Sequence, residues 1–98
     1  MKEEPLIIRF SRKSLTIGVL NLLKDNSSIV NEIGYLKETS LMIAAKNGNS
    51  ELISTLLHFG ANPNLVDSSG NRALDLTTDI ACREKLQGCT SLVSHLYS

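Results

Sequence analysis

A near-repeat of 33 residues runs through this chain and limits its fold more than any other feature. Thr39-Ser40-Leu41 aligns with Arg72-Ala73-Leu74 at that separation, and Asn31 aligns with Asn64. The apolar quartet Leu52, Ile53, Leu56 and Leu57 returns upstream as Gly18, Val19, Leu22 and Leu23, shifted by 34. It returns downstream as Leu92, Val93, Leu96 and Tyr97, shifted by 40. The longer downstream shift implies seven extra residues in the third unit, around Asp79–Cys89, as an insertion or an extended first helix. A chain of 98 residues holds one modest core, so the units must share it as a single domain over residues 1–98.

The middle unit reads as two short helices and a loop. Thr39 is a good N-cap, because its hydroxyl can accept a bond from an orphan backbone N–H. Leu41, Ala44 and Ala45 then fall on one narrow helical face. Asn47-Gly48-Asn49 breaks this helix, with Gly48 suited to a positive φ. Ser50 is the expected cap of a second helix, and Glu51 sits favourably in its first turn. Leu52, Ile53, Leu56 and Leu57 form its buried stripe, and Gly60 stops it as a left-handed residue. Asn62-Pro63-Asn64 forces an extended loop. Thr90-Ser91 would cap the helix carrying Leu92–Tyr97, which should cover the end of the middle unit. Each helix is too short to persist alone, so the units must stack.

These residues carry a resemblance. Thr39, Leu41, Ala44, Ala45, Gly48, Leu56, Leu57, Gly60, Ala61 and Asn64 stand at the offsets of an ankyrin repeat. Asp67-Ser68-Ser69-Gly70 resembles the start of the next repeat, while the first unit keeps mainly its second helix. The resemblance implies an all-α solenoid of about three ankyrin-like repeats, near 5–31, 32–64 and 65–98, joined by β-turn fingers. The next repeat departs from the family pattern at Arg72, Ala73 and Asp75, and the middle unit and its finger depart at three positions. Ser40 stands in place of Pro, Met42 in place of His, and Lys37 where the first finger usually has Gly, which implies a wider turn there.

Charge and composition argue against several functions. Lys+Arg and Asp+Glu are 10 each, so the chain lacks the basic excess of a nucleic-acid or membrane-surface binder. Aromatic residues make up 4% with no Trp, too few for a base-stacking platform. No apolar run approaches the ~20 residues of a membrane helix, and Met1–Leu23 is too interrupted by charge for a signal peptide. A cytoplasmic protein is the expectation, including the host cytoplasm for a secreted effector. Cys82 and Cys89, with His95 following and His58 in another unit, do not make a zinc pattern. They read as a small buried hydrophobe and a loop residue. No Gly-rich phosphate loop or nucleophile–base pairing is evident, so neither a cofactor nor catalysis is expected. Asp75 and Asp79 read as capping or solvated residues. Arg9, Arg12 and Lys13 read as a solvated terminal cap, or otherwise as a dock for an acidic partner.

The expected function is non-catalytic recognition of another protein, and the resemblance implies that the concave face of fingers and first helices makes the contact. The alternative is a self-associating module, or a capping fragment of a longer array, with the outer helices as contact. A monomer or weak self-association is expected. The resemblance places the variable contact positions at Tyr35, Leu36 and Glu38 on the first finger, Lys46 and Asn47 on the middle first helix, and Ser68, Ser69 and Asn71 on the second finger. Tyr35-Leu36 is also unusual by itself, as two large apolar residues in a loop with no helical stripe to join. Either they tuck between repeats or they anchor a partner.

Overall fold

Helices of two or three turns need partners. The computed structural model, which describes residues 3–90, pairs and stacks them. Five α-helices are present among the described residues: α1 Leu6–Arg12, α2 Thr16–Asp25, α3 Ser40–Lys46, α4 Ser50–His58 and α5 Ile80–Thr90. Three 3₁₀ turns lie at Ser27–Asn31, Tyr35–Lys37 and Ala73–Leu76. Helix α3 packs between α1 and the Ala73–Leu76 turn, making an inner row. Helix α4 packs between α2 and α5, making an outer row. The core runs through both rows: Ile7, Ile8, Val19, Leu23, Leu41–Ala45, Leu52, Ile53, Leu56, Cys82 and Leu86 are all buried. Leu57, expected in the buried stripe, is only half-buried at its edge.

The middle pair follows from local signals. Thr39 Oγ1 accepts from Met42 N at 3.2 Å, and Met42 Sδ accepts from Thr39 N at 3.5 Å. The methionine thioether therefore completes a reciprocal capping box with Thr39. Gly48 and Gly60 take φ of 68° and 93°, as their stop positions require. The cap of α4 is Asn49, not Ser50, with Asn49 Oδ1 accepting from Leu52 N at 3.1 Å. Ser50 is already the first helical residue. Asp79 repeats the device for α5, accepting from Cys82 N at 3.0 Å.

The third unit departs from expectation. Leu92, Val93, Leu96 and Tyr97 lie outside the described residues. The place beside α4 is filled instead by α5, in which Cys82 and Leu86 recur 30 positions after Leu52 and Leu56. No insertion separates the two units: Asp79–Cys89 belongs to α5 and its cap. The unit is shortened within its inner element, from the seven residues of α3 to the four of Ala73–Leu76. Thr77 leaves the turn in an extended conformation. Arg83 Nη1 donates to the carbonyls of Leu74 and Thr77, both at 3.2 Å. It thereby satisfies acceptors that a longer helix would have bonded internally.

Ser40 yields a prediction. It is the first residue of α3, is fully buried, and its Oγ has no hydrogen-bond partner. A buried hydroxyl without a partner is destabilising. Thr39, at φ −92° and ψ 166°, already has the extended backbone that a following proline demands. Ser40→Pro should therefore stabilise by about 1–2 kcal/mol, through loss of the orphan hydroxyl and preorganisation of the first turn. Thermal melts of the two proteins check this, and an unchanged or lower melting temperature would count against it.

Candidate interaction surface on the fingers

The first finger is closed by Gly34 N donating to Glu38 O at 2.8 Å. The second repeats this 33 positions later, with Asp67 N donating to Asn71 O at 3.0 Å. Lys37 does not widen the turn. It adopts φ 60° where Gly70, its counterpart, has φ 84°, and Leu36 joins it at φ 59°. An L-residue in this left-handed region costs roughly 1–2 kcal/mol, so surrounding contacts must hold it there. The fingers sit side by side, with Ser68 N donating to Leu36 O at 2.8 Å.

This closure presents apolar side chains outward. Tyr35 is 53% exposed and Leu36 69% exposed, so neither tucks between repeats. Ile33 and Val66 are about half exposed and occupy equivalent positions in the two fingers. Sequence reasoning missed both, although their 33-residue separation was a usable signal. An open groove lined by Glu3, Glu4, Pro5, Ile33, Gly34 and Tyr35 runs along the first finger.

Glu38 requires a correction. It is 3% exposed and faces its own fold. Its Oε1 accepts from Arg12 Nη2 at 2.9 Å, and its Oε2 accepts from Lys46 Nζ. The residue stands where the finger enters α3, within reach of the ends of α1 and α3. Burial pushes its pKa up, but the hydrogen bonds from Lys46 and Arg12 outweigh this and hold it below the ordinary carboxylate range. Arg12 also grips Glu4, at 2.6 and 2.8 Å, so that although it remains partly solvated it is tied into the fold by two carboxylates. The Arg12 hydrogen bond is the main cause that holds Glu4 low, and the Tyr35 amide adds to it.

The other expected contact residues divide. Lys46 is exposed but engaged with Glu38. Asn47 Nδ2 is exposed and reaches Ser11 O at 3.5 Å and Ser14 Oγ at 3.4 Å, across to the first helical pair. Asn47 is thus tied into the seam between repeats, and Lys46 to the base of its own finger. Ser68 and Ser69 are exposed and Asn71 is half-buried, with Asp67 Oδ1 accepting from the amides of Ser69 and Asn71 at 2.9 Å. The structure thus brings Tyr35, Leu36, Ser68 and Ser69 together at adjacent finger tips.

Cys82 is fully buried, and burial pushes its thiol pKa up, away from nucleophilic use. No group of three or more candidate metal ligands is assembled among the described residues. None of their helices is long and apolar enough to cross a membrane.

Comparisons with known proteins agree with this architecture. A family model described as ankyrin repeats (many copies) matches residues 22–76. NF-kappa-B inhibitor alpha from Homo sapiens is 31% identical over 97 residues, covering 95% of this chain and 30% of the relative. Its Sus scrofa counterpart is 31% identical over 77 residues, covering 79% of this chain and 24% of that one. The chain therefore spans less than a third of the length of these curated relatives. Among solved structures, the human ASB11 ankyrin repeat domain superposes with a TM-score of 0.79 at 20% identity, over 88% of this chain and 40% of that one. A structure of the Bd0816 predatory endopeptidase from Bdellovibrio bacteriovorus in complex with immunity protein Bd3460 contains a chain that superposes at 0.71 and 24% identity. That match covers 89% of this chain and 46% of the other.

Proposed function

Because this chain belongs to the ankyrin repeat family, we propose that it is a non-catalytic module that binds another protein through its finger tips. Ankyrin repeats mediate protein–protein interaction, and the fingers here offer a surface fitted to that use. The observation that carries the reading is the exposure of Tyr35 and Leu36 on a finger whose backbone is tightly closed. An aromatic anchor on a rigid loop gives large contact area at little entropy cost. Ser68 and Ser69 stand beside it as adaptable hydrogen-bonding groups. The relevant surface is therefore narrower than the full sequence-based set. Tyr35, Leu36, Ser68 and Ser69 form its centre, with Asn71, Lys46 and Asn47 at its margin, while Glu38 supports it from beneath.

The test begins with affinity capture by the intact chain, followed by binding measurements on the partner so identified. Tyr35→Ala should weaken that complex by about 1–3 kcal/mol and leave the melting temperature nearly unchanged. A lowered melting temperature with undiminished affinity would make Tyr35 a packing residue and move the site elsewhere.

Ile17 and Ile80 favour a second reading. They are 68% and 74% exposed on the outer helices α2 and α5, where a second copy could cover them. Sedimentation across a concentration series separates the two, since self-association raises the mean mass with concentration.

A further inference from the structure

The two fingers close alike but are held differently. In the second finger, Asp67 lies within the loop and its Oδ1 accepts from the amides of Ser69 and Asn71. Its counterpart in the first finger, 33 positions earlier, is Gly34, which has no side chain to do this. A carboxylate is nevertheless present. Glu4, on the segment before α1, accepts from Tyr35 N at 2.8 Å through Oε2. Its side chain is only 6% exposed, and both its oxygens are held by Arg12 at the far end of α1.

We propose that Glu4 is the positioning residue of the first finger: where Asp67 restrains its own loop through the Ser69 and Asn71 amides, Glu4 restrains the first finger from a distant segment through the Tyr35 amide, one equivalent position earlier, and so fixes how Tyr35 and Leu36 are presented to a partner. The presentation half of this proposal rests on the fingers being the contact surface.

Two independent features support it. Gly34 is not an arbitrary gap. A Cβ at this position would run into the Glu4 carboxylate and come within 2.7 Å of Ile8 Cγ2. The missing side chain is therefore what lets the Glu4 carboxylate approach the loop. The second feature is the backbone beyond it. Leu36 and Lys37 both occupy the left-handed region without being glycine, so the loop needs an outside restraint. A charge-assisted hydrogen bond to the amide that opens this stretch is such a restraint. Glu4 is fixed in turn by Arg12, which is shared with the buried Glu38. The chain of contacts thus runs from the segment before α1, through the inner row, to the finger tip.

Amide hydrogen exchange on the intact chain, followed residue by residue by NMR, tests the positioning without any partner. In Glu4→Ala, exchange at the Tyr35 amide should quicken by roughly tenfold, the scale of one charge-assisted hydrogen bond. The amides of Ala44 and Leu56, inside α3 and α4, should quicken by a clearly smaller factor, the one set by any loss of global stability. Gly34→Ala should have the same local effect with Glu4 intact, because the added methyl displaces the carboxylate. A Tyr35 rate unchanged in both variants overturns the proposal. So does a rise at Tyr35 no larger than the one across α3 and α4, since Glu4 would then act only through global stability. Acceleration clearly larger in the first finger than in those helices supports it. Tyr35→Ala without effect on partner binding would remove the contact reading and its presentation half, while leaving the exchange result standing.

Discussion

Leu56→Ala should be among the most damaging single substitutions in this chain, lowering stability by roughly 2–5 kcal/mol. Leu56 is fully buried in α4, the helix that packs against both α2 and α5. Truncation removes apolar contact and leaves a cavity where two outer helices meet the middle one. The surroundings have little freedom to collapse into it. Leu52 and Ile53 beside it are also fully buried, and the backbone is pinned by the Asn49 cap and the Gly60 stop. A domain of this size has only about 5–15 kcal/mol in all, so the loss would be a large share of the total. Denaturant melts of the variant and the parent give the number. Coincident curves would mean that α4 is not the shared wall between its neighbours.

The middle pair was legible because every signal in it is local. Thr39, Gly48 and Gly60 act on the backbone within a few residues, and the apolar stripes have helical spacing. The third unit was misread for a physical reason. Leu92, Val93, Leu96 and Tyr97, which lie outside the described residues, share the α4 spacing in sequence, whereas α5 buries Cys82 and Leu86 among polar residues. Its clearest signal was the cap Asp79, recurring 30 positions after Asn49. A constant 33-residue period concealed this, because the inner element had lost three residues.

The first finger was legible in part. The apolar pair Tyr35-Leu36 was visible as an anomaly, and the structure leaves both side chains exposed. The role of Glu38 was not visible. Its partners Arg12 and Lys46 lie 26 and 8 positions away, and pairing across the fold leaves no periodic trace. The left-handed backbone at Leu36 and Lys37 was equally hidden, since neither residue favours it and the restraint comes from Glu4. What sequence pattern misses here is long-range polar contact, and such contacts hold the candidate surface in place.

The same contacts make Arg12 a second large determinant of stability, and they set its dependence on pH. Arg12→Ala would leave Glu4 without a cation and Glu38 with Lys46 alone, although both carboxylates are almost fully buried. Stripping one partner from a buried pair costs about 3–5 kcal/mol when nothing replaces it. Lys46 remains here and Arg12 is itself about a third exposed, so the expected loss is about 2–4 kcal/mol near neutral pH. The acid response follows from the direction of the shifts. Glu4 and Glu38 are both held below the ordinary carboxylate range in the folded chain. The unfolded chain therefore takes up protons first on acidification. Their contribution is complete above the ordinary carboxylate pKa of about 4.3 and is lost as pH falls through the lower folded values. Denaturant melts at pH 7, 5, 4 and 3 should show the parent losing stability steeply across the acid end. In Arg12→Ala that acid-linked loss should shrink, because much of what protonation removes is already gone. Parallel curves for parent and variant would place the acid sensitivity elsewhere and reduce the Arg12 cluster to a surface contact.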